Sequence, residues 1–188
     1  MKPILTLGAA LVALSLCLVA PRPCAADSFT FTNLPVPFSY SNFGLLYAGA
    51  SNVDVLRFEM DVTDAAKSTA LMWMHFNFDG FVPARALTDF RIVYYPNGVR
   101  HDGIVIGADS GATFDGTSIG LFAWSPFPLG RNFKGIFALR LDIPPIFTTS
   151  FYFTPQLTDV TITADGIFPP VVSSTLPLTG DVFRIVQD

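Results

Sequence analysis

Few residues in this chain have side chains that could act as acids, bases or nucleophiles. The sequence holds two histidines, His75 and His101, and one glutamate, Glu59. Glu59 and Asp61 would share one face of a predicted strand. A glycosidase needs such a pair of carboxylates, but the same spacing is typical of a solvated strand face. We expect His75 to lie in a strand with a hydrogen-bond partner and His101 to lie in a hairpin loop. This scarcity of reactive groups predicts that the protein is not an enzyme.

The segment ADSGA, residues 108–112, is similar to the nucleophile loop of serine proteases, and a histidine, an aspartate and the serine occur in that order. The protease loop has a second glycine where this chain has Ala112, and the oxyanion hole depends on that backbone. The interval from His75 to Ser110 is also too short to hold the double-barrel framework. We therefore do not expect serine-protease activity.

The same region supplies oxygen ligands of the kind that calcium prefers. Residues 107–118, GADSGATFDGTS, contain Asp109, Ser110, Asp115 and Thr117. Calcium binds such oxygen clusters, but no EF-hand spacing is present and Asp-Gly is common in β-turns. The turn is the favoured interpretation, with Asp109 and Asp115 as calcium candidates. No other cofactor is expected, and the wide separation of the two histidines in the sequence argues against zinc.

Aromatic residues are the unusual feature of the composition. The chain has 19 phenylalanines among 188 residues, and a strand offers a core only one face. We predict that Trp73, Tyr94, Tyr95 and Trp124 contribute to a binding surface. Tyr94 and Tyr95 fall on opposite faces of their strand, so one of them should be exposed. Exposed flat rings can stack on sugars, and exposed apolar patches can be subunit interfaces. The alternative is that loops cover these rings.

The orientation of the strand predicted over residues 68–78 decides where Trp73 points. Side chains alternate between the two faces of a strand. One face would carry Ala70, Met72, Met74, Phe76 and Phe78, and the other would carry Leu71, Trp73, His75 and Asn77. If the first face is the core, Trp73 lies on the outer face or under a loop.

Residues 1–26 have the three parts of a secretory signal peptide. Lys2 precedes an uncharged apolar run, and small residues stand before a cleavage site that we place after Ala26. The apolar run is shorter than the ~20 residues that cross a bilayer. Cleavage would remove both cysteines and leave a single domain over residues 27–188. The expected location is outside the cytoplasm: extracellular, cell surface or periplasm.

Cleavage would also remove Lys2 and Arg22, leaving nine basic residues against 15 acidic ones, a net charge of −6. The remaining Lys and Arg are scattered and form no basic patch in the sequence. Nucleic acid is therefore not an expected partner.

The pentapeptide LPLTG, residues 176–180, matches the motif that sortases use to attach proteins to cell walls. A sorting signal also needs a membrane-spanning stretch and a basic tail after the motif, and the eight residues DVFRIVQD cannot span a bilayer. We therefore interpret Pro177 and Gly180 as turn residues before a strand over 181–186.

Short alternating segments separated by Gly, Pro and Asp-Gly turns predict an all-β fold. The expected architecture is an antiparallel β-sandwich of jelly-roll or Ig-like topology with about ten strands. The predicted strands cover residues 28–32, 52–62, 68–78, 89–95, 103–108, 118–124, 133–143, 150–154, 159–165 and 181–186. The Pro-rich stretches 33–44 and 168–180 are expected to be crossovers or edge segments, because proline cannot donate into a central ladder.

The first predicted strand carries Phe29 and Phe31 on one face and is followed by Pro35 and Pro37. Such a strand can pair with its own sheet or with the sheet of a neighbour. Own-sheet pairing is the simpler expectation, and strand donation between subunits is the alternative.

Three function classes are compatible with these patterns. The favoured one is a secreted structural or adhesive protein that assembles with itself or with other extracellular proteins. The second is a carbohydrate-binding module, although sugar-binding rings usually have Asn, Gln, Asp or Arg beside them. The third is a small outer-membrane β-barrel, which eight strands of ~10 residues would fit. The low content of charged residues, 14%, and the non-aromatic end of the sequence argue against that third class.

Overall fold

A computed structural model describes residues 28–36, 44–63, 69–98, 102–109, 114–145, 149–163, 173 and 175–186. Eleven β-strands account for most of them, and none of these residues is α-helical. The predicted all-β class is therefore confirmed, while the predicted signal peptide lies outside the described residues. The strands are β1 (Ser28–Leu34), β2 (Leu45–Tyr47), β3 (Val53–Thr63), β4 (Ala70–Gly80), β5 (Thr88–Tyr95), β6 (Ile104–Ala108), β7 (Ser118–Pro128), β8 (Lys134–Asp142), β9 (Phe151–Thr163), β10 (Leu178–Thr179) and β11 (Phe183–Val186).

The strands form one continuous sheet in the order β1-β3-β8-β5-β6-β7-β4-β9-β11-β2, with β10 paired to β9. We expected two separate sheets, but the short strand β6 pairs with both β5 and β7 and so joins the two halves of the sheet. The sheet curls, because β1 at one end of this order also contacts β10. Most pairs are antiparallel as expected, whereas β2 and β11 run parallel.

The core fills the inside of this curl. Nearly every strand turns one alternating set of apolar side chains inward, which explains the high phenylalanine content. Each large side chain that is removed from water contributes about 1.5–3 kcal/mol to folding. The phenylalanines that are less than 2% exposed are Phe58, Phe76, Phe90, Phe137, Phe153 and Phe183.

Strand β4 departs from strict alternation at Met72. Its pairing with both β7 and β9 shifts between Leu71 and Trp73. Such a bulge adds one residue to the strand, so the alternation of faces before it is out of step with the alternation after it. Leu71 is consequently buried in the core in place of Met72, while Met74, Phe76 and Phe78 face inward as predicted. Trp73 keeps its predicted place on the outer face of the sheet.

Strand β9 is one long strand where two were predicted, and Pro155 lies in its middle. The Pro155 carbonyl accepts a hydrogen bond from the Gly180 amide, 2.9 Å away. The N–H and C=O of a strand residue point to the same neighbour, so the missing N–H of Pro155 also faces that side. On that side of β9 the neighbouring strand changes. Residues 151–153 of β9 pair with β11, and residues 156–157 pair with β10. The proline therefore costs the sheet little.

The segment before and within β10 covers the free edge of β1. The Phe31 amide donates to Thr175 Oγ1 at 2.8 Å, and Ser173 Oγ donates to the Phe29 carbonyl at 2.7 Å. Asn33 also donates to the Thr179 carbonyl at 3.1 Å. This part of the Pro-rich stretch is an edge segment, as predicted. The LPLTG pentapeptide lies within it, with Leu178 in the core.

Candidate functional site

An exposed group of aromatic rings lies on the outer face of β7 and β4. Trp73 is half-buried and pairs in register with Phe122, and their ring centroids are 6.3 Å apart. Phe122 is 57% exposed and Trp124 is 69% exposed. We call Trp73, Phe122 and Trp124 the aromatic strip. Two of its members, Trp73 and Trp124, were predicted from the sequence.

Gly120 provides the space in which the Trp73 indole lies. A Cβ atom added to Gly120 would be 2.6 Å from Trp73 Nε1 and within 3.0 Å of two further indole atoms. The indole therefore covers the backbone of the neighbouring strand where any other residue would place a side chain. His75, whose register partner on β7 is Gly120, holds its ring 5.3 Å from the Trp73 ring.

Trp124 is exposed because β7 leaves β4 at this point. Phe122 pairs with Trp73, and Phe127 pairs with Leu71. Residues 123–126 of β7 thus lie opposite the single residue Met72. Ala123 still pairs with Gly107 on β6, so the extra residues form a bulge in β7, and Trp124 lies in that bulge.

A polar groove lies on the same face of the sheet as the aromatic strip, beyond His75 along β4. Asn77 pairs in register with Ser118 on β7 and with Gln156 on β9, so these three polar side chains form a row across three strands. The groove has a volume of about 410 Å³. We call its polar lining the polar groove: Asn77, Asp79, Thr117, Ser118 and Gln156.

The turn at the rim of the polar groove is held by Asp115. Its carboxylate accepts hydrogen bonds from the Thr117 amide at 2.8 Å, from the Thr117 hydroxyl at 2.7 Å and from the Ser118 amide at 3.3 Å. The Thr117 hydroxyl and then these amides lower the pKa of Asp115, because each bond favours the ionised form. Asp115 thus acts within a turn, the favoured interpretation of this segment.

Asp109, the other calcium candidate, lies in a smaller cleft of about 220 Å³ lined also by Asp89 and Arg91. Ser110 lies outside the described residues. Within the part of the chain that the structure describes, no three His, Cys, Asp or Glu side chains are grouped so that they could hold a metal ion.

His75 lies between the aromatic strip and the polar groove on β4. The pairing of β4 with β9 shifts after His75, leaving Thr158 as an extra residue on β9. The Thr158 hydroxyl lies 3.2 Å from the His75 carbonyl and 3.0 Å from His75 Nδ1, within hydrogen-bond distance of both. These contacts hold the imidazole ring in place beside the Trp73 ring.

Tyr94 and Tyr95 do not join this surface. Tyr95 is 1% exposed, and Tyr94 packs on Phe127, Phe133 and Phe137 with ring centroids 4.8–6.1 Å apart. The expectation that one of the two tyrosines is exposed was wrong. Both faces of β5 are covered, since a second apolar cluster with Val93 and Ala138 lies on the side of the sheet opposite the main core.

Tyr95 belongs to a buried polar network. Its hydroxyl donates to the Asp54 carboxylate, and Arg140 donates from Nε to Asp54 Oδ1 at 2.7 Å and from Nη2 to Tyr95 Oη at 2.7 Å. Arg57 lies 5.1 Å from the centroid of the Tyr95 ring. Burial, followed by the hydrogen bond to Asp54, raises the pKa of Tyr95 well above its usual range. The side chains of Asp54, Tyr95 and Arg140 are thus hydrogen-bonded to one another. Because they come from strands β3, β5 and β8, the network stabilises the arrangement of these strands.

The other sequence candidates that the structure describes are separated from the aromatic strip. Phe29 and Phe31 are buried in the chain's own core through the pairing of β1 with β3, which is the own-sheet pairing that was the simpler expectation. Glu59 forms an ion pair with Lys134 at 2.9 Å. His101 lies outside the described residues.

Sequence reasoning missed Phe122, Gly120, Asn77 and Gln156 as members of the site. Phe122 and Trp124 are two residues apart on one strand, a spacing that places side chains on one face. That signal could have identified Phe122. The other three become neighbours of Trp73 only through the pairing of β7, β4 and β9.

No protein-family model and no curated protein matches the chain. Among the described residues, no helix has the length and hydrophobicity needed to cross a bilayer.

Three solved structures show distant similarity. AvmM, described as catalysing macrocyclization in alchivemycin A biosynthesis, is 14% identical, with a TM-score of 0.37 over 86% of this chain and 90% of that chain. A cohesin module of a family 33 glycoside hydrolase from Clostridium perfringens is 11% identical, with a TM-score of 0.31 over 86% and 98%. A DUF4466 family protein from Parabacteroides merdae is 12% identical, with a TM-score of 0.36 over 84% and 45%. These values are too low to assign the chain to a family or a function.

Proposed function

We propose that this chain is a non-catalytic glycan-binding protein that acts outside the cytoplasm. The observation that carries the proposal is the placement of the aromatic strip and the polar groove on the same face of strands β7, β4 and β9, with His75 between them. Its location outside the cytoplasm is the one expected from the signal-peptide pattern of residues 1–26.

The aromatic strip suits the apolar face of a sugar ring. Binding sites for small molecules combine flat apolar surface with a few placed polar groups that fix orientation. Trp73 lies over Gly120, so the ring is held against the sheet and loses little freedom when a ligand stacks on it. Phe122 and Trp124 extend the apolar surface along β7.

The polar groove suits sugar hydroxyls. Asn77 and Gln156 each have an amide that can both donate and accept, and Thr117 and Ser118 add hydroxyls. The sequence alone did not reveal that side chains of this kind lie on the same face of the sheet as the aromatic rings. Their presence is why glycan binding becomes the favoured function over the structural or adhesive class.

Affinity electrophoresis on a panel of polysaccharides tests this proposal, followed by isothermal titration calorimetry with oligosaccharides of the retarding polymer. Trp73→Ala should weaken binding at least tenfold, which corresponds to about 1.4 kcal/mol. Tyr152→Ala is the matched control, because Tyr152 is 54% exposed but lies on β9 outside both the aromatic strip and the polar groove. If no polysaccharide retards the wild-type protein, or if both variants bind like it, the proposal fails.

Self-assembly or adhesion is the second candidate function. It is supported by exposed apolar side chains away from the aromatic strip, namely Tyr47, Phe81, Tyr152 and Val182. The occupant of that surface would be a second copy of this chain. Assembly through β1 would first have to displace Ser173 and Thr175 from its edge. Light scattering on the protein at high concentration tests this candidate, and a strictly monomeric result counts against it.

A further inference from the structure

The distance between the aromatic strip and the polar groove restricts the size of the ligand. Trp73 and Asn77 are on the same strand, four residues apart. A strand rises about 3.3 Å per residue, so these positions are separated by about 13 Å. One pyranose ring that is stacked on Trp73 therefore cannot also reach Asn77. Only a ligand of several sugar units contacts both.

The charges around this path restrict the chemistry of the ligand. Asp79 lines the polar groove, and Asp159 pairs in register with His75. Among the described residues that line the groove, none is a lysine or an arginine. A carboxylate or sulfate on the ligand would lie beside these aspartates without a counter-charge, and like charges that face each other oppose binding. The uncharged amides of Asn77 and Gln156 remain as partners.

His75 lies between the two ends of this path. Its Nδ1 is in hydrogen-bond contact with the Thr158 hydroxyl at 3.0 Å, which holds the ring at this place on β4. An imidazole nitrogen can donate to or accept from a sugar hydroxyl, so His75 can contact a sugar unit that lies between Trp73 and Asn77.

From these three observations we infer that the site takes an uncharged oligosaccharide that lies along β4. One sugar stacks on Trp73 and a later unit is hydrogen-bonded by Asn77 and Gln156. This inference rests on the proposed glycan-binding function and specifies its ligand class. Monosaccharides contact only one end of the site, and polyuronates are repelled by Asp79 and Asp159.

The test is calorimetry with length series of one to six units from β-1,4-glucan, α-1,4-glucan and β-1,4-xylan, with polygalacturonate as the anionic glycan. For the series that binds, affinity should rise at least tenfold between the monosaccharide and the hexasaccharide. In Asn77→Ala that rise should stop at a shorter length, because the polar end of the site no longer holds the later unit. Asp79→Lys should raise the affinity for polygalacturonate, whereas Asp181→Lys, at an exposed aspartate outside the groove, should leave it unchanged.

The outcomes separate the two proposals. If no glycan in the panel binds, the proposed function fails. If glycans bind but the monosaccharide equals the hexasaccharide, or if polygalacturonate binds most tightly, the function stands and the inference about the ligand class is overturned. A length series that behaves identically in wild type and Asn77→Ala also overturns it, because the polar groove would then not be in contact with the ligand.

Discussion

The indole of Trp73 on β4 lies directly over Gly120 on β7. Three indole atoms fall within 3.0 Å of the point at which a Cβ atom on Gly120 would stand. The position of the Trp73 ring therefore depends on the absence of a side chain on the adjacent strand. This relationship allows the strip to be changed without altering any of its aromatic residues.

Gly120→Ala should displace the Trp73 indole and weaken glycan binding about tenfold. The free energy of unfolding should change by less than about 1 kcal/mol, because a half-buried surface ring can move outward. Calorimetry measures the affinity, and tryptophan fluorescence reports the change around Trp73. The matched control is Gly130→Ala, since an added Cβ there meets no atom within 4 Å. Unchanged affinity in Gly120→Ala would show that the indole position is irrelevant to binding.

Tyr95→Phe should destabilise the fold by about 1–3 kcal/mol, because it removes hydrogen-bond partners from a buried carboxylate and a buried guanidinium. Asp54 has a side chain that is 2% exposed, and that of Arg140 is 15% exposed. Urea unfolding measures the loss. Tyr152→Phe serves as the control, and with its exposed ring it should stay within about 0.5 kcal/mol of wild type. Equal midpoints for the two variants would contradict a structural role for the network.

Stability should decline in alkaline solution because of the same tyrosine. The folded state holds the pKa of Tyr95 above its ordinary value, which is about 10. Above that pH the unfolded chain has released a proton that the folded chain still binds, so stability falls as pH rises. Unfolding curves between pH 8 and pH 11 should show this loss in wild type and a smaller one in Tyr95→Phe. If the free energy of unfolding falls with pH at the same slope in both proteins, other ionisable groups cause the effect.

Thr175→Val should loosen the edge of β1. The Phe31 amide loses its acceptor at Thr175 Oγ1, and the loss of one such hydrogen bond costs about 1 kcal/mol. Hydrogen exchange should become faster at the Phe31 amide, whereas the slowly exchanging amides in β8 should change least. Thr179→Val is the control, because the Thr179 side chain is exposed and its backbone carbonyl still accepts from Asn33. Unaltered exchange at Phe31 would show that Thr175 does not protect this edge.

The sequence alone determined the all-β class and most of the strands, because alternation and turn residues are local properties of the chain. It also placed Trp73 and Trp124 among the candidate binding residues. Where a strand departs from alternation the local pattern misleads. The bulge at Met72 puts Leu71 in the core, and the change of partner along β9 allows Pro155 inside a strand.

Strand pairing and packing determine which surfaces stay free and which residues come together. Alternation places either Tyr94 or Tyr95 on the outer face, yet a second apolar cluster and the Asp54–Arg140 pair bury Tyr95 on the other side of the sheet. For Phe29 and Phe31 the sequence left both own-sheet pairing and strand donation open, and in the structure their strand pairs with β3 and is covered by Ser173 and Thr175. The aromatic strip and the polar groove exist because strand register brings Gly120, Phe122 and Gln156 beside β4. Register depends on which apolar face is buried and on connecting turns, and β4 and β9 are far apart in the sequence with no turn that joins them directly.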